Sequence, residues 1–285
     1  MALWFSLVRF SHTVFALPFA ITGFFMAVYY GHQPFSIKII ILVLLCMVFA
    51  RSAAMGFNRY ADRNIDRANP RTSSRELPSG KLSPFAVILF VAANSLFFIA
   101  CTYFINPLCF YLSPVALSLI LLYSYTKRFT VLCHMILGLS LSLSPLGSYI
   151  SLTGSFDHIL PFCFSLIVLL WVSGFDIIYA LPDEEFDRTN RIFSIPELFG
   201  RRMALVISAI LHTVCSIVII LTGITGNFGY LYYTGSILFI FLLLRQHRML
   251  SPADISKVNI AFANTNGLAS ILFAIFVCMD MAINR

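Results

Sequence analysis

The chain is a succession of apolar runs, each close to the length of one bilayer crossing, joined by segments too short to fold by themselves. No other feature limits the fold as severely. Inside hydrocarbon, backbone N–H and C=O groups have no water to bond, so an apolar run of about 20 residues satisfies them internally by coiling into a spanning helix. With that window the sequence predicts nine helices, ending near 10–30, 36–58, 84–104, 108–126, 130–152, 158–180, 203–223, 227–245 and 259–281. The expected fold is therefore all-α: a polytopic, multi-pass integral membrane protein with about nine transmembrane helices, forming a single membrane-embedded domain over 1–285. A content of 59% hydrophobic and 11% charged residues excludes an ordinary soluble domain. The first run lacks a small-residue cleavage site and continues to spanning length, so it is expected to stay as a helix and not to be removed as a signal peptide.

A net charge of +7 could indicate nucleic acid, but the basic residues sit in short segments between apolar runs and form no solvated patch. Topology explains them better. With the N-terminus inside, nine crossings put 16 of the 19 Lys and Arg on the cytoplasmic side, against Lys38 and Arg285 outside and Arg51 within a span. The two longest connections, after the second and sixth runs, then face the cytoplasm and carry most of the acidic residues. The seven cysteines stand singly, without metal-site or disulfide spacing, and read as small buried hydrophobes.

Acidic groups at membrane depth are costly and are commonly kept for function. Two stretches concentrate them. In RSAAMGFNRYADRNIDRANPRTSSRELPSGK, from Arg51 to Lys81, Asn58, Asp62 and Asp66 recur every four residues and so share one helix face. Arg59, Arg63, Arg67, Arg71 and Arg75 interleave with them on the same beat. In WVSGFDIIYALPDEEFDRTNRIF, Asp176, Tyr179, Asp183 and Asp187 form a second one-faced ladder, which Pro182 is expected to bend or restart. Glu184 and Glu185 fall on other faces and are expected to be solvated or paired with arginine.

Two facing acidic ladders suit one or two Mg²⁺ ions, which take oxygen ligands and complete their shells with water and phosphate. The nearby arginines and Lys127 suit a diphosphate. Together they would stabilise the leaving group of an allylic diphosphate, and an apolar cavity would shelter the resulting cation until an electron-rich ring is alkylated. Arg51, two turns before Asn58, would project deeper on the same face. Its partner would be either Asp176 or a carboxylate on the acceptor, and Asp176 could orient or deprotonate an acceptor phenol. Tyr179 could contact the diphosphate or shield the cation, and His12 could line the cavity with Thr13. The other histidines, His32, His134, His158, His212 and His247, require no special role.

The motifs NxxxDxxxD (Asn58, Asp62, Asp66) and DIIYALPDEEFD (Asp176, Tyr179, Asp183, Asp187), supported by RFSHTVFALPFA, RTSSRELPSGKLS, YSYTKRFT and SIPELFG, give the chain its resemblance to the UbiA superfamily of intramembrane aromatic prenyltransferases, especially its 4-hydroxybenzoate polyprenyltransferase-like members. The resemblance covers essentially the whole chain. It implies nine helices around a central cavity, Mg²⁺ as cofactor, a polyprenyl diphosphate donor and an aromatic acceptor in quinone biosynthesis. It also implies that Asp62 and Asp66 hold one Mg²⁺ and Asp183 and Asp187 another, while Asn58, Arg67, Arg71 and Lys127 contact the diphosphate. A 1,4-dihydroxynaphthoate-type acceptor in menaquinone biosynthesis is the nearest alternative, and a secondary transporter is the alternative from another class. A lipid bilayer, most simply a bacterial inner membrane, is the expected setting, with no nucleic acid and no obligate protein partner.

Overall fold

A computed structural model describes residues 2–8 and 15–284. Among these residues every regular element is a helix. A short α1 (Ala2–Val8) precedes α2 (Leu17–Tyr29), α3 (Ile37–Ala68), α4 (Pro84–Ile105), α5 (Pro107–Thr126), α6 (Cys133–Thr153) and α7 (Leu160–Ala180). A 3₁₀ turn at Leu181–Asp183 leads into α8 (Glu184–Asn190), followed by α9 (Ile195–Thr225), α10 (Tyr230–Arg248), a π-helical stretch at Ile260–Thr265 and α11 (Asn266–Asn284).

Each of the nine predicted runs overlaps one of the longer helices, but seven of the described helices are long and apolar enough to cross a membrane. The count of nine is therefore not reached on that measure. The described part of α2 has only 13 residues. Helix α10 is diluted at both ends, with Tyr and Thr in its first turns and Arg245, Gln246, His247 and Arg248 in its last. The expected cavity residues His12 and Thr13, the orientation charges Arg9 and Arg285, and the first half of the RFSHTVFALPFA motif lie outside the described residues.

Helix α7 is the most buried of the spans, with Phe164, Ile167, Val168 and Trp171 at zero exposure. Large apolar side chains point outward elsewhere, including Ile37, Leu89, Leu96 and Val115, as expected of a surface that meets lipid tails. Without a hydrophobic drive between helices in lipid, close approach depends on small residues. At Gly138 of α6, an added Cβ would lie 2.6 Å from the Leu169 carbonyl oxygen of α7 and even nearer the Ser173 hydroxyl. Gly138→Val is thus expected to destabilise the detergent-solubilised protein by about 1–3 kcal/mol through overpacking. Thermal unfolding checks this, and an unchanged Tm would mean that α6 and α7 do not approach so closely.

Two local breaks shape the acidic end of the bundle. Helix α3 runs ten residues past its expected end before Asn69, restrained by Pro70, leaves the helical region at φ −90° and ψ 118°. Pro182 acts as expected: α7 stops, makes one 3₁₀ turn and restarts as α8. Helix α9 begins earlier than expected, at Ile195, with Ser194 as its N-cap, and re-forms after Gly200, whose φ of 74° suits a residue without a Cβ. All seven cysteines are free thiols.

Candidate active site

The extended α3 carries Arg51, Asn58, Asp62 and Asp66 into one pocket, and the α7–turn–α8 segment brings Asp176, Tyr179, Asp183 and Asp187 to the same space. Asp62 and Asp66 are only 2% and 4% exposed, so each carboxylate needs compensation. Lys127, immediately after α5, places Nζ 2.6 Å from Asp62 Oδ2, and the Asn58 amide donates to the same oxygen at 3.1 Å. Arg75 Nη1 donates to Asp66 Oδ1 at 2.7 Å.

The connection after α3 then reaches across to the second ladder. Arg71 grips Asp183 with two donors, Nε at 3.0 Å from Oδ1 and Nη2 against Oδ2, while the Asn69 amide donates to Oδ1 at 3.1 Å. Asp187 accepts from the Ser194 hydroxyl at 3.0 Å. That hydroxyl also accepts from Glu197 N as the cap of α9, so one serine joins the second ladder to the next span. The Tyr179 ring lies 4.2 Å from that of Phe262 and 5.3 Å from the Arg71 guanidinium, within cation–π range. Glu184 pairs with Arg188 at 3.0 Å and Arg201 at 2.8 Å, and Glu185 is exposed.

The structure places two of the candidates apart from the arrangement the sequence suggested. Arg67 is exposed and does not line the pocket. It follows Asp66 directly, about 100° around the helix from the acidic face. The four-residue beat that grouped it with Arg71 ends at Asn69, where the chain leaves the helix. Asp176 does not pair with Arg51. Its Oδ2 lies 2.7 Å from His134 Nδ1, at the first turn of α6, so a histidine read as needing no role is the partner. Arg51 does line the pocket, with Tyr123 and Asp176.

The lining contains five basic residues (Arg51, Arg59, Arg71, Arg75 and Lys127) and five aspartates (Asp62, Asp66, Asp176, Asp183 and Asp187). A diphosphate entering alone would upset that balance, whereas one entering with divalent cations would not. The donor chemistry fits Mg²⁺: Asp62 Oδ1 and Asp66 Oδ2 are buried oxygens with no hydrogen-bond partner. Among the described residues no three His, Cys, Asp or Glu side chains form a cage. Carboxylate pairs suit an ion that commonly completes its shell with water and substrate phosphate.

A sequence model described as the UbiA prenyltransferase family matches residues 16–274. The chain belongs to this family. As a UbiA protein it is a membrane-embedded prenyltransferase, which sets aside the transporter alternative. It is 32% identical over 235 residues to a 4-hydroxybenzoate octaprenyltransferase of Aeromonas hydrophila, covering 82% of this chain and 81% of that one. A 4-hydroxybenzoate octaprenyltransferase of Shewanella piezotolerans is 30% identical over 243 residues, covering 85% and 84%. The structure of a UbiA homologue from Aeropyrum pernix K1 matches with a TM-score of 0.86 and 32% identity, covering 95% of this chain and 98% of that one. A UbiA homologue from Archaeoglobus fulgidus, solved with GPP and Mg²⁺, shares the fold at a TM-score of 0.75 and 21% identity, covering 99% of this chain and all of that one.

Three side chains of this UbiA pocket that bond the second ladder were not singled out from the sequence: Asn69, His134 and Ser194. Asn69 had a readable signal, because a residue before proline at a helix end is poised to turn its side chain back into the site. His134 had none, since its partner lies on another helix; Ser194, at capping-box spacing from Glu197, was legible as the start of α9 but not as a partner of Asp187.

Proposed function

We propose that the chain transfers a polyprenyl group from an allylic polyprenyl diphosphate to a hydroxylated aromatic acid of the 4-hydroxybenzoate type, with Mg²⁺, as a step in quinone biosynthesis. The observation that carries this reading is the convergence of both acidic ladders on one pocket with Arg71, Arg75 and Lys127, and with Arg51 on the same α3 face about 10 Å of helix rise beyond Asn58. The names of the relatives from Aeromonas and Shewanella support the acceptor class. The Archaeoglobus homologue, bound to GPP and Mg²⁺, supports the donor and the metal.

In this reading Asp62 and Asp66 from α3, and Asp183 and Asp187 from the second ladder, hold Mg²⁺, which when bound supplies positive charge against the leaving diphosphate. Lys127, Arg71 and Arg75 move from their carboxylates toward phosphate oxygens, and Asn58 orients the Asp62 end of the site. Tyr179 and Phe262 keep water from the allylic carbon and face its developing charge with aromatic surface. Arg51 holds the carboxylate of the acceptor, leaving its hydroxyl side toward Asp176. The pocket opens to the cytoplasm, with the N-terminus on the same side.

The test is an assay of purified protein with a long-chain prenyl diphosphate and Mg²⁺, offering 4-hydroxybenzoate and 1,4-dihydroxynaphthoates side by side. Prenylated hydroxybenzoate is the expected product, and preference for the naphthoates would move the acceptor to the bicyclic class. Transfer unaffected by removing Mg²⁺ with chelator would overturn the metal assignment.

A further inference from the structure

We propose that His134 is a positioning residue: its Nδ1–H holds Asp176 as the group that takes the hydroxyl proton of the acceptor. This rests on the proposed function, in which the acceptor is a phenol. His134 is 3% exposed and makes two bonds through its ring. Nδ1 lies 2.7 Å from Asp176 Oδ2, and Nε2 accepts the backbone N–H of Ile195 at 3.4 Å. Ile195 is the first residue of α9, where amides have no partner within the helix, and a backbone amide only donates. The nitrogen facing the carboxylate, Nδ1, therefore carries a ring proton aimed at Asp176.

The geometry leaves Asp176 half engaged. Its side chain keeps 21% exposure and lines the pocket, so one oxygen is fixed by His134 while the carboxylate stays accessible from the pocket. Arg51 and Arg59 of α3 and Tyr123 of α5 line the same pocket. Asp176 is held from behind by a buried imidazole and presented forward.

The step balances on the chain's own groups. The acceptor hydroxyl gives its proton to Asp176 as the allylic C–O bond breaks, and that bond's electron pair leaves with the diphosphate. The ring carbon beside the phenolic oxygen bonds to the allylic carbon. The hydrogen on that ring carbon then departs as a proton to the diphosphate, and Asp176 returns its own proton to the oxygen. Acceptor and prenyl diphosphate become prenylated acceptor and protonated diphosphate, and Asp176 is again a carboxylate.

The experiment uses the full chain in detergent, with 4-hydroxybenzoate and 3-fluoro-4-hydroxybenzoate, whose hydroxyl is more acidic. Since general-base catalysis contributes about 10²–10⁴-fold, His134→Leu is expected to lower kcat about 10- to 100-fold and Asp176→Asn at least as much. The KM for prenyl diphosphate should stay within about threefold in both variants. The fluorinated acceptor should recover a large part of each loss, about tenfold, because its proton needs less help. His134→Asn, whose amide N–H can stand in for Nδ1–H, is expected to keep kcat within about fivefold of the wild type. Equal losses with both acceptors, or equal loss in His134→Leu and His134→Asn with a raised diphosphate KM, would reduce His134 to a structural contact. If His134→Leu does not fold, Asp176→Asn leaves the His134–Ile195 bond untouched, and retention of more than half its kcat would overturn the proposal. Failure of the wild type to prenylate any hydroxylated aromatic acid would remove the underlying reading, a result separable from every variant comparison.

Discussion

Asp66→Asn is expected to lower kcat/KM by about 10³-fold or more, the equivalent of roughly 4 kcal/mol of transition-state stabilisation, while the protein remains folded in detergent. In the structure Asp66 is 4% exposed, accepts from Arg75 through Oδ1 and leaves Oδ2 buried without a partner. The amide keeps the volume and one acceptor, so packing changes little. It removes the negative charge that compensates Arg75 and would attract a divalent cation, and it puts an N–H where an oxygen lone pair is needed. Asp187→Asn on the opposite ladder is expected to behave similarly, because its Oδ2 accepts from the neutral Ser194 hydroxyl, which leaves its charge for a ligand. The measurement is prenyl transfer against Mg²⁺ concentration. A rightward shift in Mg²⁺ dependence with loss of rate supports the assignment, and wild-type activity in either variant would remove that aspartate from the metal site.

The features legible in the sequence were those set by distance along one helix. A four-residue interval puts Asn58, Asp62 and Asp66 on one face regardless of their neighbours, and Pro182, inside the second ladder, breaks the helix where it stands. The same rule misled where its premise ended. Arg67, Arg71 and Arg75 share the interval, but the helix stops at Ala68, so Arg71 and Arg75 fold back to Asp183 and Asp66 while Arg67 stays outside. The membrane count was legible to within the ends of α2 and α10, where hydropathy alone does not separate a span from a partly polar helix. Contacts between helices were out of reach: His134 meets Asp176 across 42 positions, and nothing in either segment's periodicity names the other.

Arg51→Ala is expected to raise the KM for a carboxylated acceptor about 10- to 100-fold, since a hydrogen-bonded charge contact is worth about 1.5–3 kcal/mol. The KM for prenyl diphosphate should change little, because Lys127, Arg71 and Arg75 stand with the aspartates whereas Arg51 enters two turns earlier on α3. The comparison that isolates the carboxylate uses a neutral phenol of similar size. The wild type should discriminate strongly against it, and Arg51→Ala should narrow that gap by weakening the acid's binding without improving the neutral ring's. Arg51→Lys preserves charge but not the two parallel donors of a guanidinium, so it should recover only part of the loss. An unchanged acceptor KM in Arg51→Ala would place the acceptor carboxylate elsewhere. A loss equal for acid and neutral phenol would instead mark Arg51 as support for the pocket wall, because a guanidinium that recognises a carboxylate must distinguish the two.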